Sequence, residues 1–255
     1  MPTARHLRHG RTRRRRYGHR GGRGGATSYS GKVLSTEERN LIGYWPLWEA
    51  SGSVAKDISW NGRDGTHVGV TLGQSGIGDD RTSPYYDGAN DYTNIYSASL
   101  AAAFNGAEGT LVIWAKVANV GVWTDATSRY LFSVYAGDGN NAVFIRKDNG
   151  NNLTRFHYKA GAVEEEVNIA TNSIDWVQYG ITWSATADEV KLYMAGAQVG
   201  TTQTGLGTWV GTLTSAAIGA YIASASGVYY GWLAHSPIWT KALTPAQIAY
   251  LWAVR

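Results

Sequence analysis

The sequence predicts an all-β protein: a two-sheet antiparallel sandwich with one short C-terminal helix and an extended N-terminal arm. Three observations carry that prediction. From Leu34 onward, short stretches of apolar and polar residues are bounded by Asn61-Gly62, Asp64-Gly65, Asp87-Gly88, Asp138-Gly139 and Asn149-Gly150, pairs that take positive φ at little cost and so reverse a strand. The 32 glycines lie largely among these stretches, as a fold of many turns requires. The aromatic residues are 11 Trp and 16 Tyr against only 4 Phe, and the apolar faces and polar tips of Trp and Tyr suit strand surfaces and binding surfaces alike. At 255 residues the chain is long enough for one generous core, and sandwiches of this length form single domains. The expected organisation is an arm, residues 1–31, followed by one domain, residues 32–255.

Taken in order, residues 1–31 are low-complexity Arg, Gly and Ser, too polar to bury surface and too rich in glycine to hold a regular element unaided. Strands are expected at 41–45, 66–70, 92–95, 110–117, 129–135, 142–147, 154–158, 164–169, 176–183, 189–194, 216–220 and 229–239, a number and spacing that fit a sandwich. The helix is expected after Thr244. That hydroxyl caps it, Pro245 sits where its missing N–H costs nothing, and Gln247 completes a capping box. Ile248, Leu251 and Trp252 then recur at helical spacing and form a face to lay on the sandwich.

The formal charge of +4 averages two unlike regions. Residues 1–25 hold nine arginines (Arg5, Arg8, Arg11, Arg13, Arg14, Arg15, Arg16, Arg20 and Arg23) and no acid; the remaining 14 basic residues face 19 acidic ones, a balance of −5 for the body. There is no cysteine, so disulfides contribute nothing. No apolar run approaches the length of a membrane span, and no membrane partner is expected. A secretory leader needs a hydrophobic stretch of roughly 7–15 residues after its basic start. Residues 17–31 are dominated by Gly, Arg, Ser and Thr instead, so the general export route is not expected.

Several blocks carry a family resemblance. Leu41-Ile42-Gly43-Tyr44-Trp45-Pro46-Leu47 and the turn Asp57-Ile58-Ser59-Trp60-Asn61-Gly62-Arg63-Asp64-Gly65-Thr66 resemble the opening strand and following turn of laminin-G-like, concanavalin A-like jelly rolls. Tyr86-Asp87-Gly88-Ala89-Asn90-Asp91-Tyr92 is similar to a later strand of that family. So are the segments 110–117, 176–183 and 190–196, and the run Ile238-Trp239-Thr240-Lys241-Ala242-Leu243-Thr244-Pro245. The blocks stand in the family's order over roughly residues 40–252. The resemblance implies a jelly roll acting as a lectin-like binding module, usually outside cells on glycans or proteins, sometimes with a structural calcium ion. It also implies an acid in the penultimate strand, where this chain has Ala234 and His235.

Candidate chemistry is sparse. Asp57, Asp64, Asp87 and Asp91, with Asn90, are oxygen ligands suited to calcium, yet Asx residues beside glycine also form turns for local backbone reasons. Glu164, Glu165 and Glu166 form the one carboxylate cluster. On a strand Glu164 and Glu166 share a face roughly 6–7 Å apart at Cα, but the Glu-x-Asp-x-Glu strand of related glucanases is absent, and a solvated strand face is the expectation. His67, His157 and His235 stand singly in strands, with packing as their default role. Trp45, Trp114, Trp176, Trp183 and Trp239 read as core, whereas Trp60, Trp123 and Trp209 fall in loops or strand ends and are candidates for stacking on a ligand. The nine arm arginines are the expected anion-binding element, because guanidinium groups pair with phosphate and carboxylate in two-pronged fashion.

A module of extracellular type without an export leader is reconciled by a virus particle, whose proteins are made inside the cell and meet the outside on lysis. The expected function is thus a non-enzymatic, lectin-like structural protein of the virion surface, a phage head decoration or tail component. Its arm would grip capsid or tail proteins within a multimeric assembly, and its jelly roll would be free to take a glycan. The alternatives are a free extracellular carbohydrate-binding lectin and a nucleic-acid-binding protein acting through the arm. No cofactor is expected beyond a structural calcium ion.

Overall fold

Strand pairing in this chain is antiparallel throughout the described residues, and it sorts the strands into two packed sheets. The structure, a computed structural model, describes residues 28–137 and 139–253. Its strands are β1 (Leu41–Trp45), β2 (Val54–Ala55), β3 (Gly65–Val68), β4 (Thr71–Ser75), β5 (Thr82–Asp87), β6 (Tyr92–Asn94), β7 (Glu108–Val117), β8 (Arg129–Ala136), β9 (Asn141–Lys147), β10 (Leu153–Ala160), β11 (Val163–Ala170), β12 (Val177–Ser184), β13 (Glu189–Met194), β14 (Ala197–Gln203), β15 (Leu213–Ile218), β16 (Tyr230–Ala234) and β17 (Ser236–Trp239). One sheet runs β14-β13-β12-β7-β16-β5-β4, with β17 and β1 continuing beside β7; the other runs β11-β10-β9-β8-β15-β6-β3-β2. The all-β sandwich expected from the turn spacing is the observed architecture.

Between the sheets lies the main core. Leu111, Ile113, Ile181 and Trp183 from the nine-stranded sheet meet Phe132, Val134, Val143, Ile145 and Phe156 from the eight-stranded one. A second core lies on the outer side of the nine-stranded sheet, where α1 (Tyr29–Ser35) and α3 (Pro245–Trp252) cover Val112, Trp114 and Tyr193. That double cover explains why β7 is buried along nearly its whole length instead of alternating. The capping box of α3 forms as its sequence predicts: Thr244 accepts from the Gln247 N–H and Gln247 accepts from the Thr244 N–H. Trp252 stacks on Trp114 with ring centroids 4.9 Å apart. None of the described helices is long and apolar enough to cross a membrane.

Several expectations differ from the structure. The boundary drawn at Lys32 falls inside α1: Ser28 caps that helix, and Tyr29 is only 1% exposed, edge-on to Trp114 at 5.8 Å and accepting a hydrogen bond from the Gln178 amide. Among the described residues the folded body thus includes 28–31, held by the Ser28 cap and by the buried Tyr29, Lys32 and Val33 of α1. A further short helix, α2 (Ala98–Ala103), is capped by Ser97. The long strand expected at 229–239 is two strands, broken at His235, whose φ of 51° turns the chain. Trp176 stands just before β12, half-buried against the second core.

Candidate functional site

The helices cover the outer face of the nine-stranded sheet, and the outer face of the eight-stranded sheet carries a chemically varied surface. Its floor is aromatic: Tyr130, Tyr135 and Phe144 form a small cluster with Tyr221, which comes from the loop between β15 and β16. Tyr221 stands edge-on to Tyr130 at 5.0 Å and to Tyr135 at 4.5 Å. The His157 ring stacks on Phe144 at 4.1 Å and 8°. Around these rings lie Arg146, Lys159, Glu164 and Glu166. Two adjoining hollows of about 230 and 420 Å³ share Tyr135, Gly139 and Tyr221 and form one trough, a size in the range of small-ligand sites. Another surface hollow, about 660 Å³ between α1 and α3, is lined mostly by polar residues such as Glu37, Glu38, Arg39 and Gln247, with Tyr250 as the aromatic among them.

Backbone register builds this trough. Tyr130 and Tyr135 are an odd number of residues apart, so simple alternation would send them to opposite faces. A bulge in the pairing of β8 with β9, between Tyr130 and Phe132, resets the parity and brings both to the outer face. On the next strands Phe144 pairs with His157, and His157 pairs with Glu166. The β10–β11 hairpin closes through Gly161 and Ala162, both at positive φ (56° and 69°), the backbone that a two-residue turn requires.

Burial perturbs three of the trough's titrating groups. Burial pushes the His157 imidazole down to about 3, and the charges of Lys159, Arg146 and Arg155 add to that; the ring is neutral near pH 7. Two carboxylates stand against it, with Nδ1 3.1 Å from Glu164 Oε1 and 3.5 Å from Glu166 Oε2. Arg155 grips the other Glu166 oxygen at 2.6 Å and also pairs with Asp148. Burial raises the phenols of Tyr130 and Tyr135, so both remain protonated donors. Arg146 reaches Asp148 and the Tyr130 hydroxyl and lies over the Tyr130 and Phe144 rings.

The structure disperses the residues that the sequence singles out. Trp60 projects into solvent, 87% exposed, at a positive φ of 70°. Trp123 is buried, donating its indole N–H to the Ser173 carbonyl, and offers no face to a ligand; a loop position says nothing about depth when the loop folds back over the core. Trp209 is half-buried against Phe104 and packs over Gly106.

The calcium candidates turn their oxygens to the backbone. Asp57 accepts from the N–H groups of Tyr44, Ser59 and Arg63. Asp64 accepts from the Asp57 N–H and pairs with Lys56 at 2.6 Å. Asp87 accepts from Ala89, and Asp91 from Asp87. These are the hydrogen bonds of turn-forming aspartates. Among the described residues, the His, Asp and Glu donors that converge closely enough to share an ion are His157, Glu164 and Glu166. His235, in the place of the family's acid, is buried between the Tyr44 hydroxyl at 2.7 Å and Asp79 at 2.9 Å. The nine arm arginines lie outside the described residues.

Comparison with known proteins agrees with this architecture. The family description "concanavalin A-like lectin/glucanases superfamily" matches residues 87–249. The chain belongs to that superfamily. Similar solved structures include a Trypanosoma rangeli sialidase in complex with sialic acid, at TM-score 0.62 and 14% identity over 84% of this chain and 33% of the sialidase chain. Domain 4 of an extracellular arabinanase from Geobacillus stearothermophilus, in complex with arabinotriose, aligns at TM-score 0.55 and 18% identity over 83% of this chain and 98% of that domain. The binding domain of Paraclostridial Mosquitocidal Protein 1 aligns at TM-score 0.62 and 15% identity, covering 84% of this chain and 52% of that one. At such identities the likeness is one of fold. No curated protein is a sequence match to the chain.

Proposed function

We propose that this superfamily member is a non-catalytic glycan-binding module, carried on a larger assembly by its basic arm. The observation behind the reading is the trough: aromatic rings on its floor, and guanidinium, ammonium and carboxylate groups around it. A sugar ring offers both apolar C–H faces and hydroxyls, and such a mixed surface complements both. The relatives held with arabinotriose and with sialic acid support a carbohydrate as the ligand class. Glu164 and Glu166 project from one edge strand, side by side, with Glu166 clamped by Arg155. A hydrolytic pair flanks the scissile bond, so their placement supports binding without turnover.

The finer reading is a virion surface, as a phage head decoration or tail component. Nine arginines without an acid, ahead of a body with a balance of −5, support attachment to an acidic surface on capsid or tail subunits; packaged nucleic acid is the rival partner. Titration of the full chain with arabino- and sialo-oligosaccharides tests the first part. Tyr221→Ala and Arg146→Ser are expected to weaken binding about tenfold, the effect of losing one aromatic or charged contact; unchanged affinity in both variants, or no binding by the parent chain, overturns it. For the arm, replacing Arg13, Arg14, Arg15 and Arg16 with Ser is expected to release a still-folded body from particles, while particles emptied of nucleic acid keep the parent protein. Unchanged incorporation of that variant, or absence of the protein from any particle, overturns the virion reading.

A further inference from the structure

The His157 side chain carries a contradiction that a bound cation resolves. Its residue is 5% exposed, and Nδ1 is buried with no hydrogen-bond partner, although two carboxylate oxygens lie within 3.5 Å of it. Neither oxygen is a hydrogen-bond partner of that nitrogen despite its nearness, so neither lies on the line of a well-directed N–H. An oxygen that shares a metal with that nitrogen belongs off the axis, because the ion itself occupies it. Ligands held about 2.0–2.2 Å from a common ion at tetrahedral or octahedral angles stand about 2.9–3.5 Å apart. The observed 3.1 and 3.5 Å fall in that interval.

We propose that His157 Nδ1, Glu164 Oε1 and Glu166 Oε2 bind one first-row divalent cation of the zinc type in the trough. One imidazole and two carboxylates suit zinc or its first-row neighbours better than calcium, which gathers six to eight oxygens. Two of the three ligands are held in place by groups that do not compete for the ion. Phe144 stacks on the His157 ring, and Arg155 takes Glu166 Oε1, leaving Oε2 toward the histidine. The tight turn at Gly161 and Ala162 sets the register that brings Glu164 and Glu166 to His157. Three protein ligands leave further coordination positions for water or for a ligand hydroxyl. Lys159 and Arg146, which also line the trough, reduce the affinity through their charge without occupying the donor atoms. The assignment stands whether or not a glycan occupies the trough.

The test uses the full chain, stripped with a chelator and titrated by calorimetry with zinc chloride and, separately, calcium chloride. Cobalt absorption spectroscopy reads the coordination directly. One zinc equivalent per chain is expected, with no matching calcium equivalent. Glu164→Gln alone should weaken zinc binding by more than the roughly 10- to 100-fold that losing a supporting partner costs. Its carboxylate is 43% exposed, so the fold is not at risk. Glu164→Gln with Glu166→Gln should abolish both the equivalent and the cobalt band, with folding confirmed by the thermal transition in the absence of metal. His6, His9 and His19 are unaltered in these variants, so zinc held by the arm would survive the substitutions. Zinc binding undiminished in the double variant, or the lack of a stoichiometric zinc equivalent in the parent chain, overturns the proposal.

Discussion

Tyr29 ties the start of the described body to its core, and its removal has a calculable cost. The ring is 1% exposed, lies edge-on to Trp114 at 5.8 Å and 4.5 Å from the His235 ring, and its hydroxyl accepts from the Gln178 amide at 3.1 Å. Deleting a buried aromatic costs about 3–5 kcal/mol, and leaving the Gln178 amide unpaired under the helix adds about 1–3 kcal/mol. For a domain of this size each kcal/mol moves the thermal midpoint by about 2–4 °C. A chain starting at Lys32 is therefore expected to melt at least about 8 °C below one starting at Ser28, while the latter melts with the full chain. Tyr29→Phe, which keeps the ring and loses the hydroxyl, should cost about 1 kcal/mol. The assay is differential scanning calorimetry at one pH and salt concentration. If the chains starting at Ser28 and Lys32 melt within about 1 °C of each other, α1 is an ornament and the argument from burial fails.

Other consequences follow from single residues. Asp57→Ala strips three backbone N–H groups of their acceptor and is expected to cost about 2–4 kcal/mol; urea unfolding should show that excess calcium restores none of it. Gly219→Ala places a Cβ 2.5 Å from the buried Tyr86 ring at a φ of +81°, so strain and overpacking together should destabilise by about 2–4 kcal/mol in the same assay. His157 titrates near 3 in the folded state, below its ordinary 6.5, so between those values the unfolded chain takes up a proton that the folded chain refuses. Stability from this residue is complete above about pH 6.5 and falls as pH drops, by at most about 1.4 kcal/mol per unit. His157→Gln should flatten the decline in thermal midpoint between pH 6.5 and 4, and an unchanged slope would show that the imidazole is not held neutral.

The sequence by itself determines what depends on neighbours along the chain. Turn pairs and alternation mark most of the strands, Thr244, Pro245 and Gln247 mark α3 to the residue, and motif blocks standing in the family's order mark the superfamily. The edge strands β2, β4 and β14 and the caps of α1 and α2 leave too weak a local signal to read. The arm's charge is plain in the sequence, whereas its partner is not a property of its residues alone.

Part of the trough was within reach of the sequence. A two-residue turn at Gly161 and Ala162 pairs His157 with Glu166 by counting outward, so a hairpin reading would have joined that histidine to the glutamates. The rest required tertiary structure. The bulge before Phe132 reverses the parity that alternation assigns to Tyr130 and Tyr135, and Tyr221 arrives from a loop about 80 residues further on. Depth, too, is a tertiary property: Trp60 and Trp123 both read as loop tryptophans, yet one is bare to solvent and the other sits in the core. The physical reason is that side-chain alternation and turn chemistry act over a few residues. Which face of a sheet is covered, and which stays open to a ligand, is settled by where α1 and α3 find apolar surface to bury; they found it on Trp114 and its neighbours, and the opposite sheet kept its outer face for the trough.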